Sequence, residues 1–375
     1  MKRISFVLAT LSLAAVVGAL GVRSAAADSA AAANPVPVLA YYYIWYSPAS
    51  WRRAKSDYPV LGPYSSNDVR VVKQHVTWAR KAGVSGFIVS WKATERLNRP
   101  LAHLVAAADE QNFKLVLIYE GLDFERNPLP AARVARDLRL FAARYAADPA
   151  FDLFAKPVVI WSGTWKFSRA EVASVTRSLR SKLLILASEK DKAGYERLAD
   201  LVDGDAYYWS SVNPDTFPGY IAKLQAMSSA IHARHGLWFA PAAPGFDARL
   251  VGGTRVVPRK NGVTLRKEIN AAVQSSPDAI GLISWNEFSE NSQVEPSVRF
   301  GRRYLDVLGD MQRPQSSIGT DFDSSQPVSG IGYGLPILSG LAGVVFAALL
   351  MAFTRRHIRR GRASMWPPTT HRRTQ

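Results

Sequence analysis

Eight short apolar runs, each followed by a stretch of helical periodicity, restrict the folds open to this chain more than any other feature. The runs fall at 38–45, 84–91, 114–119, 158–161, 183–187, 206–209, 237–240 and 279–285. They are continuously apolar rather than alternating, as strands covered on both faces of a parallel sheet must be. Amphipathic patterns at 68–81, 130–146, 168–181, 214–234 and 264–275 fill gaps between them. Ser168 and Glu171 have the spacing of a capping box at a helix start. Eight such units in about 280 residues predict an α/β fold, a (β/α)8 barrel. An open doubly wound sheet is the competing arrangement, but no GxGxxG follows the first run.

Both ends of the chain read differently from its middle. Residues 1–27 carry Lys2 and Arg3, an apolar run and small residues at Ala25, Ala26 and Ala27, the pattern of a secretory signal peptide. Residues 28–313 are expected to form the barrel domain, and 314–334, polar and rich in Gly, Ser and Pro, a flexible stalk. The uncharged apolar stretch 335–353 is long enough for a single transmembrane helix. A basic tail, 354–375, follows it, and by the positive-inside rule that tail is cytoplasmic. The expected protein is therefore a single-pass protein of the cell membrane whose main domain lies outside the cytoplasm.

Charge and cysteine content narrow the function. The formal net charge is +17, but seven arginines lie in the tail and three basic residues in the leader, leaving +7 scattered over the rest. Without a dense basic run, nucleic acid is not an expected partner. The chain has no cysteine, so an exported domain must rest on a large apolar core instead of disulfides. The same absence removes a cysteine nucleophile, and no GxSxG elbow is present. His232 and His235 lack an HExxH context and read as a solvated helix face.

In a parallel barrel the active site collects where strands end. Those exits supply Tyr42, Tyr43, Trp45 and Tyr46 from the first run, then Trp91, Glu120 and Tyr208, and finally Trp285 and Asn286. Aromatic faces stack on the C–H faces of sugar rings while acids and amides bind hydroxyls, so this mixture suits a carbohydrate cleft. Just past the last run comes SWNEFSENSQVEPS, with Glu287 and Glu290 three apart and Gln293 and Glu295 beyond. Glycoside cleavage needs two carboxyl groups, and a separation of three places both on one side of a turn. The same acids would also suit a helix N-terminus, with no catalysis involved. Asp123 and Glu125 in LDFERN, and the cations Arg249, Arg255, Arg259 and Lys260 between 245 and 262, are expected to be solvated loop charges. The second loop also has the length of a lid.

The SWNEFSENSQVEPS stretch resembles the SFNEWHEGTQIE signature of glycoside hydrolase family 99, the endo-α-mannosidases and endo-α-mannanases. In the same order, AYYYIWYSP resembles the family's AFYYPWYGN, YPVLGPYSSND a loop with a Pro-Tyr-Ser element, GVSGFIVSW the second-strand segment, and FAPAAPGFDARL a PSVGPGY segment. The resemblance implies a (β/α)8 barrel with Glu287 and Glu290 catalytic and with retention of anomeric configuration. Glu287 would take the proton of the substrate's own 2-hydroxyl, giving a 1,2-anhydro sugar, while Glu290 serves as acid and then base. No metal or cofactor is implied. Departures fall beside the acids, where Phe288 and Ser289 replace Trp and His. They also fall at Lys92, which replaces a Trp, and around Glu120, whose HIEPY neighbours are changed. The expectation is a hydrolase, endo-acting on an α-linked, α-mannan-like glycan. A glycan-binding barrel without catalysis and a polysaccharide-assembly protein are the alternatives.

Overall fold

The computed structural model describes residues 36–312. Eight strands form its main sheet, beside a separate antiparallel pair, Phe246–Asp247 with Val256–Val257: β1 (Val38–Tyr43), β2 (Gly86–Trp91), β3 (Lys114–Glu120), β4 (Val158–Ser162), β5 (Leu184–Leu186), β6 (Gly204–Ala206), β7 (Leu237–Ala242) and β8 (Ala279–Leu282). Each is followed by a helix: α1 (Val69–Lys81), α2 (Glu95–Glu110), α3 (Ala131–Tyr145), α4 (Arg169–Thr176), α5 (Lys192–Leu198), α6 (Tyr220–His232), α7 (Val263–Val273) and α8 (Arg303–Gln312). The sheet order is β5-β4-β3-β2-β1-β8-β7-β6, with parallel pairing throughout. A bridge between Ala187 and Asp205 joins β5 to β6, where Ala187 N donates to Gly204 O at 2.9 Å and Ala206 N to Ala187 O at 2.9 Å. The eight strands thus form the ring of a (β/α)8 barrel.

Alternate residues of each strand divide between two cores. Leu39, Tyr41, Ile88, Val116, Ile118, Val158, Ile160 and Phe239 fill the barrel interior. Ala40, Tyr42, Phe87, Val89, Trp91, Leu117, Tyr119 and Trp161 point outward and pack with the helices. Burying one such large apolar side chain contributes roughly 1.5–3 kcal/mol.

Local signals explain the helices. In α1 the Asp68 side chain accepts from Arg70 N, and Val72, Val76 and Ala79 recur on the buried face. Ser168 and Glu171 do form a capping box at α4. Three helices, α2, α5 and α8, are additional to the five read from periodicity. The sixth strand begins two residues earlier than expected, because Gly204 and Asp205 make the pairing while Tyr207, Tyr208 and Trp209 belong to the exit. The predicted leader, stalk, transmembrane segment and basic tail lie outside the described residues. Among the described residues no helix is long and apolar enough to cross a membrane.

Candidate active site

The acidic segment after β8 is a folded-back loop, so the helix-terminus account of its carboxylates does not apply: the next helix starts only at Arg303. Ser284 N donates to Ser292 O at 2.9 Å, Ser292 N to Glu287 O at 3.2 Å, and Glu295 N to Trp285 O at 2.9 Å. Glu287 N also donates to Ser284 Oγ at 2.8 Å. Glu287 and Glu290 therefore sit on a turn whose two ends are tied together. The turn also reaches the loop after β7, since Asp247 N donates to Glu290 O at 2.7 Å.

The two acids differ in their surroundings. Burial raises the proton affinity of Glu287, opposed by hydrogen bonds from Ser289, whose N–H lies 3.0 Å from Oε1, and by the charge of Lys55. Glu290 is pushed up to about 8, by burial first and the Glu287 charge second, with Arg126 opposing. Repulsion between the two acids disfavours their being ionised together. The hydroxyls of Tyr43 and Tyr208 meet at 2.7 Å, and both phenols are held well above their usual range by burial, with Glu287 and Glu290 adding to it. Both tyrosines therefore share the field of the acid pair.

Strand alternation separates the other expected site residues. Tyr43, Ser90, Glu120 and Tyr208 lie on the inner side at the strand-exit end. There Ser90 Oγ donates to Glu120 Oε1 at 2.7 Å, and burial raises Glu120 while Lys92 and Arg126 oppose the shift. Trp45 is half-buried beside Tyr43, with ring centres 4.4 Å apart. Tyr46 stacks on Trp51 at 4.6 Å and donates to Asn286 O at 2.6 Å. Tyr42, Trp91 and Trp285 face the opposite way, into the layer between sheet and helices. Tyr42 meets His75 there, Trp91 donates to Asn98, and Trp285 packs on Phe87 and His75. Their neighbours in the chain reach the cleft and they do not, because adjacent residues of a strand exit point to opposite faces.

Asn286, Gln293 and Glu295 act as latches. Asn286 accepts from Tyr43 N at 2.8 Å and donates to Tyr43 O at 3.0 Å, joining the exits of β1 and β8. Glu295 accepts from Tyr64 at 2.9 Å and contacts His75 Nε2 at 3.1 Å, fully enclosed. Gln293 donates to Asp57 at 3.0 Å and accepts from Arg259 at 3.0 Å.

Several residues of this site were not singled out from the sequence: Tyr64, His75, Asp57, Lys55 and Arg126. Tyr64 and Asp57 do lie in or beside the YPVLGPYSSND stretch. Arg259, expected as a solvated loop cation, is only 7% exposed, and its Nη2 donates to Asn291 O, Gln293 O and Gln293 Oε1. Asp123, by contrast, binds its own hairpin at Asn127 N. His232 pairs with Asp278 at 3.0 Å. Among the described residues no cluster of three or more His, Asp or Glu side chains converges as a metal site requires.

A barrel whose strand exits hold one buried and one half-buried glutamate beside aromatic rings has the layout of a barrel glycosidase. Residues 46–311 match the model of glycosyl hydrolase family 99, and the chain belongs to that family. It is 23% identical over 270 residues to glycoprotein endo-alpha-1,2-mannosidase of Rattus norvegicus, covering 65% of this chain and 57% of the rat protein. It is 24% identical over 290 residues to the glycoprotein endo-alpha-1,2-mannosidase-like protein of Danio rerio, covering 68% and 62%. The chain thus spans less than two thirds of either relative's length. Among solved structures, the GH99 endo-alpha-mannosidase from Bacteroides thetaiotaomicron is similar in fold, with a TM-score of 0.65 at 22% identity over 73% of this chain and 95% of that one.

Proposed function

We propose that this protein is a retaining glycoside hydrolase that cuts within an α-linked glycan of the α-mannan type, with Glu287 and Glu290 as its catalytic pair. The observation that carries the reading is the placing of two glutamates in one tied loop, Glu287 buried and Glu290 half-buried, with burial and the Glu287 charge pushing Glu290 up to about 8. In the first step Glu287 takes the proton of the 2-hydroxyl as that oxygen attacks the anomeric carbon. Glu290 gives its proton to the departing glycosidic oxygen. Water then opens the 1,2-anhydro sugar, losing a proton to Glu290 while Glu287 returns its own to the 2-oxygen. Each acid ends as it began.

Tyr43 and Tyr208 border the reacting centre, and Trp45 offers an aromatic face at its edge. Names of relatives support the α-mannosidic linkage. External display on the cell membrane remains part of the proposal, resting on the leader and the apolar segment 335–353. The test is to incubate the full-length protein in detergent with α-mannans, α-glucans and their oligosaccharides and to size the products. Internal fragments from α-mannan are expected. Release of monosaccharide alone would remove the endo mode, and an uncut panel would remove the enzyme.

A further inference from the structure

Behind the acid loop lies a cavity of about 320 Å³, bounded by Asp247, Arg249, Arg259, Lys260, Arg299 and Tyr304, with Asn291 on the catalytic side. Four cations line it against one carboxylate. Two of them are paired at its outer edge: Arg249 binds Asp247 at 2.9 and 2.6 Å, and Lys260 binds Asp215 at 2.6 Å. Arg259 is different. Its guanidinium carbon lies 4.5 Å from the ring centres of both Phe300 and Tyr304, Nη2 donates to the Asn291 and Gln293 oxygens, and the Tyr304 hydroxyl acts on the same guanidinium. Asp57 faces it from beyond Gln293. Arg299, over Phe300 at 5.3 Å, makes no ion pair within 4.0 Å among the described residues, and its charge acts on Asp247.

Four buried polar atoms of this wall lack a well-formed hydrogen bond, namely Arg259 Nε, Arg259 Nη1, Tyr304 Oη and Asn291 Oδ1, although the Tyr304 hydroxyl and the Arg259 guanidinium act on each other. Native folds rarely leave such atoms unmatched, least of all several in one place. Three of the four carry a hydrogen to donate, and a guanidinium fork fits a planar or tetrahedral oxyanion. We propose that this pocket binds an oxyanion group: phosphate, sulfate or carboxylate. Arg259 and Arg299 hold it, and the Tyr304 hydroxyl donates to it. The site does not depend on the catalytic reading, but it adjoins that machinery, because Asn291 directly follows Glu290 and Arg259 grips the Asn291 carbonyl. The anion arrives either free or as a substituent of the glycan.

The test is calorimetric titration of the full-length protein with inorganic phosphate, mannose 6-phosphate and mannose at constant ionic strength. Saturable phosphate binding is expected, weakened at least tenfold in Arg299→Gln, whose side chain is exposed and whose fold is checked by circular dichroism. Arg259→Lys, which keeps the charge and loses the fork, is expected to weaken it as well. Tighter binding of mannose 6-phosphate than of phosphate assigns the site to a substituted glycan, and equal binding assigns it to a free anion. The proposal is overturned if neither phosphate nor sugar phosphate saturates, or if Arg299→Gln binds both as well as the unaltered protein does.

Discussion

Glu290 and Glu287 are the same residue type three positions apart, yet their environments act on them differently. Burial acts on both, but Glu287 receives hydrogen bonds from Ser289 and Glu290 receives mainly the repulsion of Glu287. On the proposed mechanism the activity is expected to fall on an alkaline limb near pH 8, as Glu290 loses the proton it donates there. Arg126 opposes that shift, so Arg126→Gln is expected to move the limb to higher pH, measured as kcat/KM against pH. A limb that moves to lower pH would contradict the assignment. The same shift bears on stability. The native state keeps a proton that the unfolded chain releases near pH 4.5, so stability declines as pH rises from about 4.5 to 8. Glu290→Gln removes that penalty and is expected to stabilise the protein at pH 8 by up to roughly 4 kcal/mol while abolishing activity, read as a higher melting temperature.

Among elements, the loop after β8 depends on partners far away in sequence. Glu295 accepts from Tyr64 and faces His75 on α1, and Asn286 clasps Tyr43. Glu295→Ala leaves two buried groups without their partner and is expected to cost about 1–3 kcal/mol for each. Denaturant unfolding would measure it; a loss below about 0.5 kcal/mol would show that the latch is idle. The hairpin after β3 presents Phe124 at 96% exposure, tied by Lys92 Nζ to Leu122 O at 2.5 Å. Phe124→Ala is expected to lower kcat/KM on long substrates several-fold and leave the shortest cleaved one unaffected. Much of this level was legible in advance. The acids stood out by composition and spacing, and β1 to β4 by apolar runs. Which exit residues face the cleft was not legible while each exit was read whole, so Tyr42, Trp91 and Trp285 were grouped with Tyr43. His75 carries no local mark, since its partner lies 220 residues away.

For the whole molecule, eight βα repeats are visible in the sequence because parallel strands must be apolar on both faces. How the ring closes is not visible, since closure is decided by pairing between β5 and β6, of three residues each, whose contact centres on one bridge. Amides at that seam are expected to exchange with solvent faster than those of β2 and β3. Uniform protection around the barrel would contradict a weak seam. Arg259 shows the same limit: nothing local distinguishes a buried clamp from a solvated loop cation. The most direct test of the central claim is proton NMR of the first product formed from an α-mannan oligosaccharide by the unaltered protein, beside Glu287→Gln and Glu290→Gln. The account predicts that the α-anomer appears first and that both variants are folded but inactive. A β-anomer appearing first, or substantial turnover by either variant, would contradict it.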